Sequence, residues 1–103
     1  PNTVQALTNA MVRANKWIQQ AGPSDIIKAV PESYLLGDRA VYVDAFLAAK
    51  GALSPDGSIP EAGAETARRA LASIDKDVAE AKTLDLKAVW TNDFVKKANA
   101  KYR

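Results

Sequence analysis

The sequence contains no cysteine and no histidine. Without cysteine there is no disulfide framework, no thiolate nucleophile and no thiolate metal site, and the redox compartment stays open. Without histidine there is no imidazole base, so Ser-His-Asp and Cys-His catalysis are excluded. Zinc sites of the usual ligand sets go with them. Net charge is small as well: 14 Lys and Arg against 12 Asp and Glu leave +2, too little to imply a nucleic-acid footprint. No apolar run approaches the roughly 18 residues needed to span a bilayer, and no signal peptide is visible. The five glycines are scattered one at a time, so there is no glycine-rich phosphate loop. The chain opens on Pro1 with no Met before it, as expected of a processed chain or an excised fragment.

What is present is one domain's length, 103 residues, with 48% hydrophobic residues. Sorting them thins the core. Twenty are alanine, leaving 29 larger apolar side chains. A compact chain of this mass would bury about 65% of its unfolded surface, and alanine supplies little of that area. All ten glycines and prolines fall between periodic segments or at their edges, which cuts the chain into short helical pieces. No two-residue alternation competes with them, so the expected fold class is all-α, with five to six short helices over residues 1–103.

The first helix is predicted over residues 1–21. Val4, Leu7, Met11, Ala14 and Ile18 form one stripe, widened by Ala6, Ala10, Trp17 and Ala21. Val12 alone sits wrongly, in the middle of the polar arc. Gly22, suited to a left-handed position, and Pro23 end this helix. Ser24 is the N-cap candidate for a short helix over 25–30, closed by Pro31, and residues 32–36 form a further turn. Asp38 caps a helix over 39–50 with Gly51 behind it. Tyr42, Ala45, Phe46, Ala49 and Leu53 make its main stripe, while Val41, Val43, Leu47 and neighbouring alanines cover the rest. A helix apolar nearly all round needs neighbours nearly all round.

Ser54-Pro55-Asp56-Gly57 reads as a type I turn. Beyond Ile59-Pro60, a helix from residue 61 or 64 to 73 buries Ala64, Ala67, Leu71 and Ile74. Residues 75–82 form a short helix with Asp77, Glu80, Lys76 and Lys82 facing solvent. Residues 84–90 are either a buried extended stretch or a turn of helix. Thr91 caps the last helix, 92–102, with Phe94, Val95, Ala98 and Tyr102 inward.

Groups able to carry chemistry all have a structural reading. Asp25, Asp38 and Asp93 lie where capping and the helix dipole favour Asp. Asp75, Asp77 and Glu80 lack the alternating ligands and glycine of a calcium loop, and Asp56-Gly57 has no oxygen ligands following at the right spacing. Lys96, Lys97, Lys101 and Arg103 crowd the C-terminus, where cations suit the dipole; an anionic surface or acidic partner is the sharper alternative. Of the aromatics, Tyr42, Phe46 and Phe94 sit on core stripes, leaving Tyr34 and Trp90 as the better ligand candidates. No catalytic, cofactor or metal residue is assigned, and an enzyme would have to work with Lys, Tyr and carboxylates alone.

The order of segments carries a resemblance. The run over residues 3–21, Ala40-Val41-Tyr42 through Phe46, Leu53-Ser54-Pro55-Asp56-Gly57, Ile59-Pro60, Asp85-Leu86-Lys87, and Thr91-Asn92-Asp93-Phe94-Val95 follow one another along essentially the whole chain. Together they resemble the C-terminal third of the nitrate/sulfonate/taurine-type solute-binding proteins of ABC importers, the group that includes thiamine-precursor binders. The resemblance implies a parent of two α/β lobes around a cleft, periplasmic or lipid-anchored at the cell surface, handing solute to an ABC permease. It implies that this part is mostly helical and packs on the first lobe. Ligand contacts then belong to the preceding two thirds, so no binding residue is carried over.

The expected function is therefore structural support of one lobe by a helical C-terminal segment that binds no solute alone. Its expected partners are the missing lobes and the parent's permease, with homo-oligomers through exposed apolar helix faces and no nucleic acid. The competing reading is an independent helical interaction or oligomerisation module.

Overall fold

Asp38 shows how directly local chemistry sets the elements of this chain. Its Oδ1 accepts the Ala40 and Val41 backbone N–H groups at 2.9 and 3.1 Å, satisfying two of the donors that a helix start leaves free. The helix runs over Arg39–Lys50 as its sequence predicts. A computed structural model describes residues 1–35, 37–81 and 84–103. Among these the chain is all-helical: α1 Asn2–Gln20, α2 Pro23–Ala29, α3 Arg39–Lys50, α4 Glu61–Ala72, α5 Lys76–Glu80 and α6 Asp93–Lys101. Two 3-10 turns, Glu32–Tyr34 and Leu86–Ala88, complete it. The second places the ambiguous stretch over 84–90 as a turn of helix, started by Asp85 accepting from Lys87 N at 3.0 Å. Leu36, Lys82 and Thr83, which the expected turn over 32–36 and helix over 75–82 included, lie outside the described residues.

Several boundaries differ from expectation, all but the last for a local reason. Gly22 is extended (φ −91°, ψ 174°) rather than left-handed, and it is itself the N-cap of α2. Pro23 occupies the first helical position, where its missing N–H costs nothing, so Ser24 lies inside the helix. Asp25 reaches back to accept from Gly22 N at 3.0 Å. Asp75 precedes α5 as its cap, accepting from Asp77 N and Val78 N at 2.9 and 3.3 Å. Residues 54–58 form a bend without a Gly57 to Ser54 backbone hydrogen bond, held by a side chain. Asp56 Oδ1 accepts the Ser58 N–H at 2.9 Å, the Ser58 hydroxyl at 2.6 Å and the Ser54 hydroxyl at 3.3 Å. At the start of α6 the N-cap position is Asn92, not Thr91, although Thr91 Oγ1 accepts from Asp93 N at 3.1 Å. The Asn92 amide is committed elsewhere: its Oδ1 accepts from Ile59 N at 3.0 Å and its Nδ2 donates to Ile59 O at 2.9 Å.

The helices pair as α1 with α6, α2 with α3, and α4 with α5. The α1–α6 seam joins the two ends of the chain and is polar. Gln5 Nε2 donates to Phe94 O at 2.9 Å, and Lys16 Nζ donates to the Tyr102 carbonyl. Val12, 1% exposed, is the one residue α1 buries, and Ala98 is its counterpart on α6. Half-buried Gln5, Thr8, Asn9, Asn15, Lys16 and Gln19 follow Val12 around the same side, while of the expected stripe Ile18 is half-buried and Ala21, just past the helix, is buried. Over residues 4–17 this reverses the expected orientation. The apolar stripe faces outward, with Leu7 65% and Met11 64% exposed and Val4 and Trp17 also exposed. A helical wheel ranks faces by apolarity, whereas this chain offers α1 only a small partner, α6, whose contacts suit the narrow Val12 side. Phe94, Val95, Ala98 and Tyr102 of α6 are inward as expected.

Elsewhere the same shortage of cover recurs. α3 buries no residue completely, and Val41 and Leu47 are exposed. Of the inward set expected for α4 only Ala64 is half-buried: Ala67 and Leu71 are exposed, and Ile74 is 84% exposed because it follows α4 in a tight junction to α5. The fully buried apolar residues described are Val12, Ala21, Ile26, Leu35 and Ala98. The accessible surface is 7863 Å², where a compact chain of 11.0 kDa would expose about 5600 Å² and bury about two thirds of its unfolded surface. This one buries about half. Its radius of gyration is 17.3 Å, against about 13 Å for a compact domain of this length.

Gly57 closes the bend over the α1–α6 seam. It has φ +80°, and a Cβ added there would stand 3.1 Å from Val12 Cγ2. Gly57→Ala is expected to lower stability by about 1–2 kcal/mol, from the left-handed backbone and the crowding together. Gly51→Ala, at φ −66° with open space around it, is expected to be neutral or mildly stabilising. Thermal unfolding of the two variants side by side checks this, and equal midpoints would contradict it. Val12→Ala is expected to cost about 2 kcal/mol, from two lost methyl groups and the cavity left behind.

Candidate functional site

The carboxylates are occupied with holding the backbone and with ion pairs. Asp25, Asp38, Asp75 and Asp85 accept from helix-start N–H groups, and Asp56 organises residues 54–58. Glu65 grips Arg68 through two parallel bonds, 3.0 Å from its Nε and 2.6 Å from a terminal nitrogen, which holds the Glu65 carboxyl below its ordinary range. Among the described residues no three acidic groups come together to hold a metal ion. Asp75, Asp77 and Glu80 are therefore not gathered into a cation site.

Two hollows remain. The first, about 460 Å³, lies between α4, α5 and the turn after them, lined by Ala64, Leu71, Val78, Leu86, Val89 and Trp90 among others. It is almost wholly apolar, because the one charged lining residue, Arg68, directs its guanidinium to Glu65. Trp90, singled out in the sequence, stands in its wall, with its indole Nε1 shielded and without an acceptor among the described residues. Tyr34, the other aromatic singled out, is exposed on the 3-10 turn Glu32–Tyr34 and lines neither hollow.

The second hollow, about 800 Å³ and open, lies where the C-terminal half of α1 meets the end of α6. Lys101 and Arg103 of the C-terminal basic cluster line it, together with Arg13, Lys16, Trp17 and Tyr102. Lys96 and Lys97 stay outside it on exposed positions of α6. Arg13 and Lys101 each lie 5.3 Å from the Tyr102 ring centroid, within cation–π range. Arg13 and Lys16 were not legible as partners of the C-terminal cations. The available signal was negative: no carboxylate occurs before Asp25.

With this geometry in view, the chain is similar over 99% of its length to a solved protein of Bordetella bronchiseptica RB50, at 55% identity and a TM-score of 0.85. The match spans 32% of the Bordetella chain, so this chain covers about a third of that protein's length. No family model and no curated protein matches it.

Asp56 supplies a test of how the bend beneath the basic hollow is held. The Ser58 hydroxyl, then the Ser58 N–H, bond its charged form and hold its carboxyl below the ordinary 3.8. A carboxyl lowered in the folded state contributes stability above its unfolded pKa and loses it as pH falls through the folded one. The stability difference between the parent chain and Asp56→Asn is therefore expected to be constant above about pH 5 and to shrink below about pH 4. Urea unfolding at a series of pH values measures it, and a difference that grew on acidification would contradict the assignment.

Proposed function

We propose that this chain is the helical C-terminal portion of a periplasmic solute-binding protein of an ABC importer, of the nitrate/sulfonate/taurine type. In this reading it is not an enzyme. It supports one lobe of a two-lobed α/β parent, periplasmic or lipid-anchored, and binds no solute by itself. The missing lobes are its first partner, and the parent's permease is the partner of the whole.

The observation that carries the reading is the reversed orientation of α1. A helix with Val4, Leu7 and Met11 in water, and only Val12 buried, is packed on the wrong side for an independent domain. An exposed apolar stripe of this kind marks an interaction surface. The surface excess of about 40% over a compact chain of this mass points the same way. So does the length of the Bordetella protein, in which the matching portion is 32%. A two-lobed parent would supply the area that α1 and α3 leave open. The wider resemblance, from Ala40-Val41-Tyr42 through Thr91-Asn92-Asp93-Phe94-Val95, supplies the family.

Isolated, the chain is expected to form dimers or larger species by light scattering at micromolar concentration. Leu7→Lys with Met11→Lys is expected to move it toward monomer with little loss of thermal stability, since both side chains are already exposed. An isolated, unsubstituted chain that is monomeric and binds no apolar dye would count against the proposal. The coding sequence upstream of Pro1 is the decisive observation. About 200 residues of alternating strand and helix behind a leader would support the reading, and an initiator Met directly before Pro1 would sink it.

A further inference from the structure

Charge is segregated along this chain. Every charged residue before Asp25 and after Asp93 is basic: Arg13, Lys16, Lys96, Lys97, Lys101 and Arg103. All twelve carboxylates lie from Asp25 to Asp93. Because α1 packs on α6, termini remote in sequence become one cationic body.

Four of those six cations, Arg13, Lys16, Lys101 and Arg103, line the open hollow of about 800 Å³ with Trp17 and Tyr102, and no Asp or Glu among the described residues lines it. Asp56, next to the lining Pro55, has its carboxylate turned to Ser54 and Ser58. A second observation is independent of charge. Gln19, also in the lining, has its amide Nε2 shielded from solvent and without an acceptor among the described residues. The hollow thus presents donors in excess, and the mutual repulsion of its cations is relieved by an anionic occupant.

The shape decides what kind of anion. A small oxyanion is held by donors converging in an enclosed site, whereas this hollow is broad and open. The exposed Trp17 ring beside the cations offers an apolar resting place between charges. Permanent interfaces are apolar, while reversible ones are polar and steered by charge. The outward Val4, Leu7 and Met11 in the first half of α1 have the first character, and this hollow, lined by Arg13, Lys16 and Trp17 of its second half, has the second. We propose that the hollow between α1 and α6 docks an acidic segment of a separate protein, its carboxylates meeting Arg13, Lys16, Lys101 and Arg103 while an apolar side chain rests on Trp17. This inference does not depend on the solute-binding reading.

The probe is a fluorescein-labelled peptide of Glu residues interrupted by two Leu, titrated with the full chain and followed by anisotropy. Saturable binding is expected, weakening at least about tenfold between about 50 and 300 mM salt. Arg13→Glu with Lys101→Glu is expected to weaken it at least about tenfold more, and Lys101→Glu with Arg103→Glu similarly, with helicity by circular dichroism unchanged. Lys28→Glu with Lys87→Glu, at exposed positions that do not line the hollow, is expected to leave binding within about twofold, as exposed charges outside the contact are screened by salt. Inorganic phosphate, phosphatidylglycerol vesicles and oligothymidylate are expected not to displace the peptide at matched charge. Absence of saturable binding, indifference to both reversals in the hollow, equal loss in the control reversal, or displacement by any one of the three competitors would overturn the proposal.

Discussion

The contact between the first and last helices is the constraint on which the rest of this chain depends. α1 and α6 are held by Val12 and Ala98 at the centre, by Gln5 on the Phe94 carbonyl toward one end, and by Lys16 on the Tyr102 carbonyl at the other. The bend over residues 54–58 rests on this seam. Gly57 lies against Val12 and Val95, and Asn99 Nδ2 donates to Asp56 O at 2.9 Å. Asn92 then ties Ile59, and so the approach to α4, to the start of α6. α3 is linked more loosely, through Lys50 Nζ donating to Ala21 O at 3.3 Å at the end of α1.

A polar seam has a particular energetic character. Each hydrogen bond across it replaces one to water, so its net worth is about 0.5–1.5 kcal/mol. Its apolar area is small, since Val12 and Ala98 are modest side chains. The seam orients α1 more than it stabilises the chain. The hydrophobic stabilisation available to α1 lies on its other side, unrealised within these 103 residues. That division of labour, polar specificity inward and apolar area outward, links the low burial of the chain to the proposed role as part of a larger body.

Features governed by neighbours in sequence were legible. The span of α1, the Asp38 cap with the full length of α3, and the inward set Phe94, Val95, Ala98 and Tyr102 follow from periodicity, capping and breakers alone. The apolar excess on α3 was legible too, because it is a property of one helix. Local reading failed at the α1–α2 junction, where Gly22 is the extended cap and Ser24 lies inside α2; the other failures were decided by an unseen partner. Val12 looked misplaced because the wheel had no knowledge of where α6 would lie. Thr91 looked like the cap because nothing local says that the Asn92 amide is held by Ile59, 33 residues earlier. The basic hollow was half legible, as Lys101 and Arg103 are adjacent in sequence while Arg13 and Lys16 come from the other end of the chain.

The seam also fixes an order of events. Gln5 finds the Phe94 carbonyl 89 residues away, and Lys16 finds Tyr102 at a separation of 86. Closing a loop of that size costs about 4 kcal/mol of chain entropy before any contact rewards it. Contacts this distant in sequence form late. During synthesis α1 emerges first and its partner helix emerges last, so for nearly the whole of translation the inward side of α1 has nothing to pair with. Its outward apolar stripe is available throughout. Any surface made ahead of α1 can therefore engage that stripe before α6 exists, and the polar seam is added afterward, as the clasp on an arrangement already made.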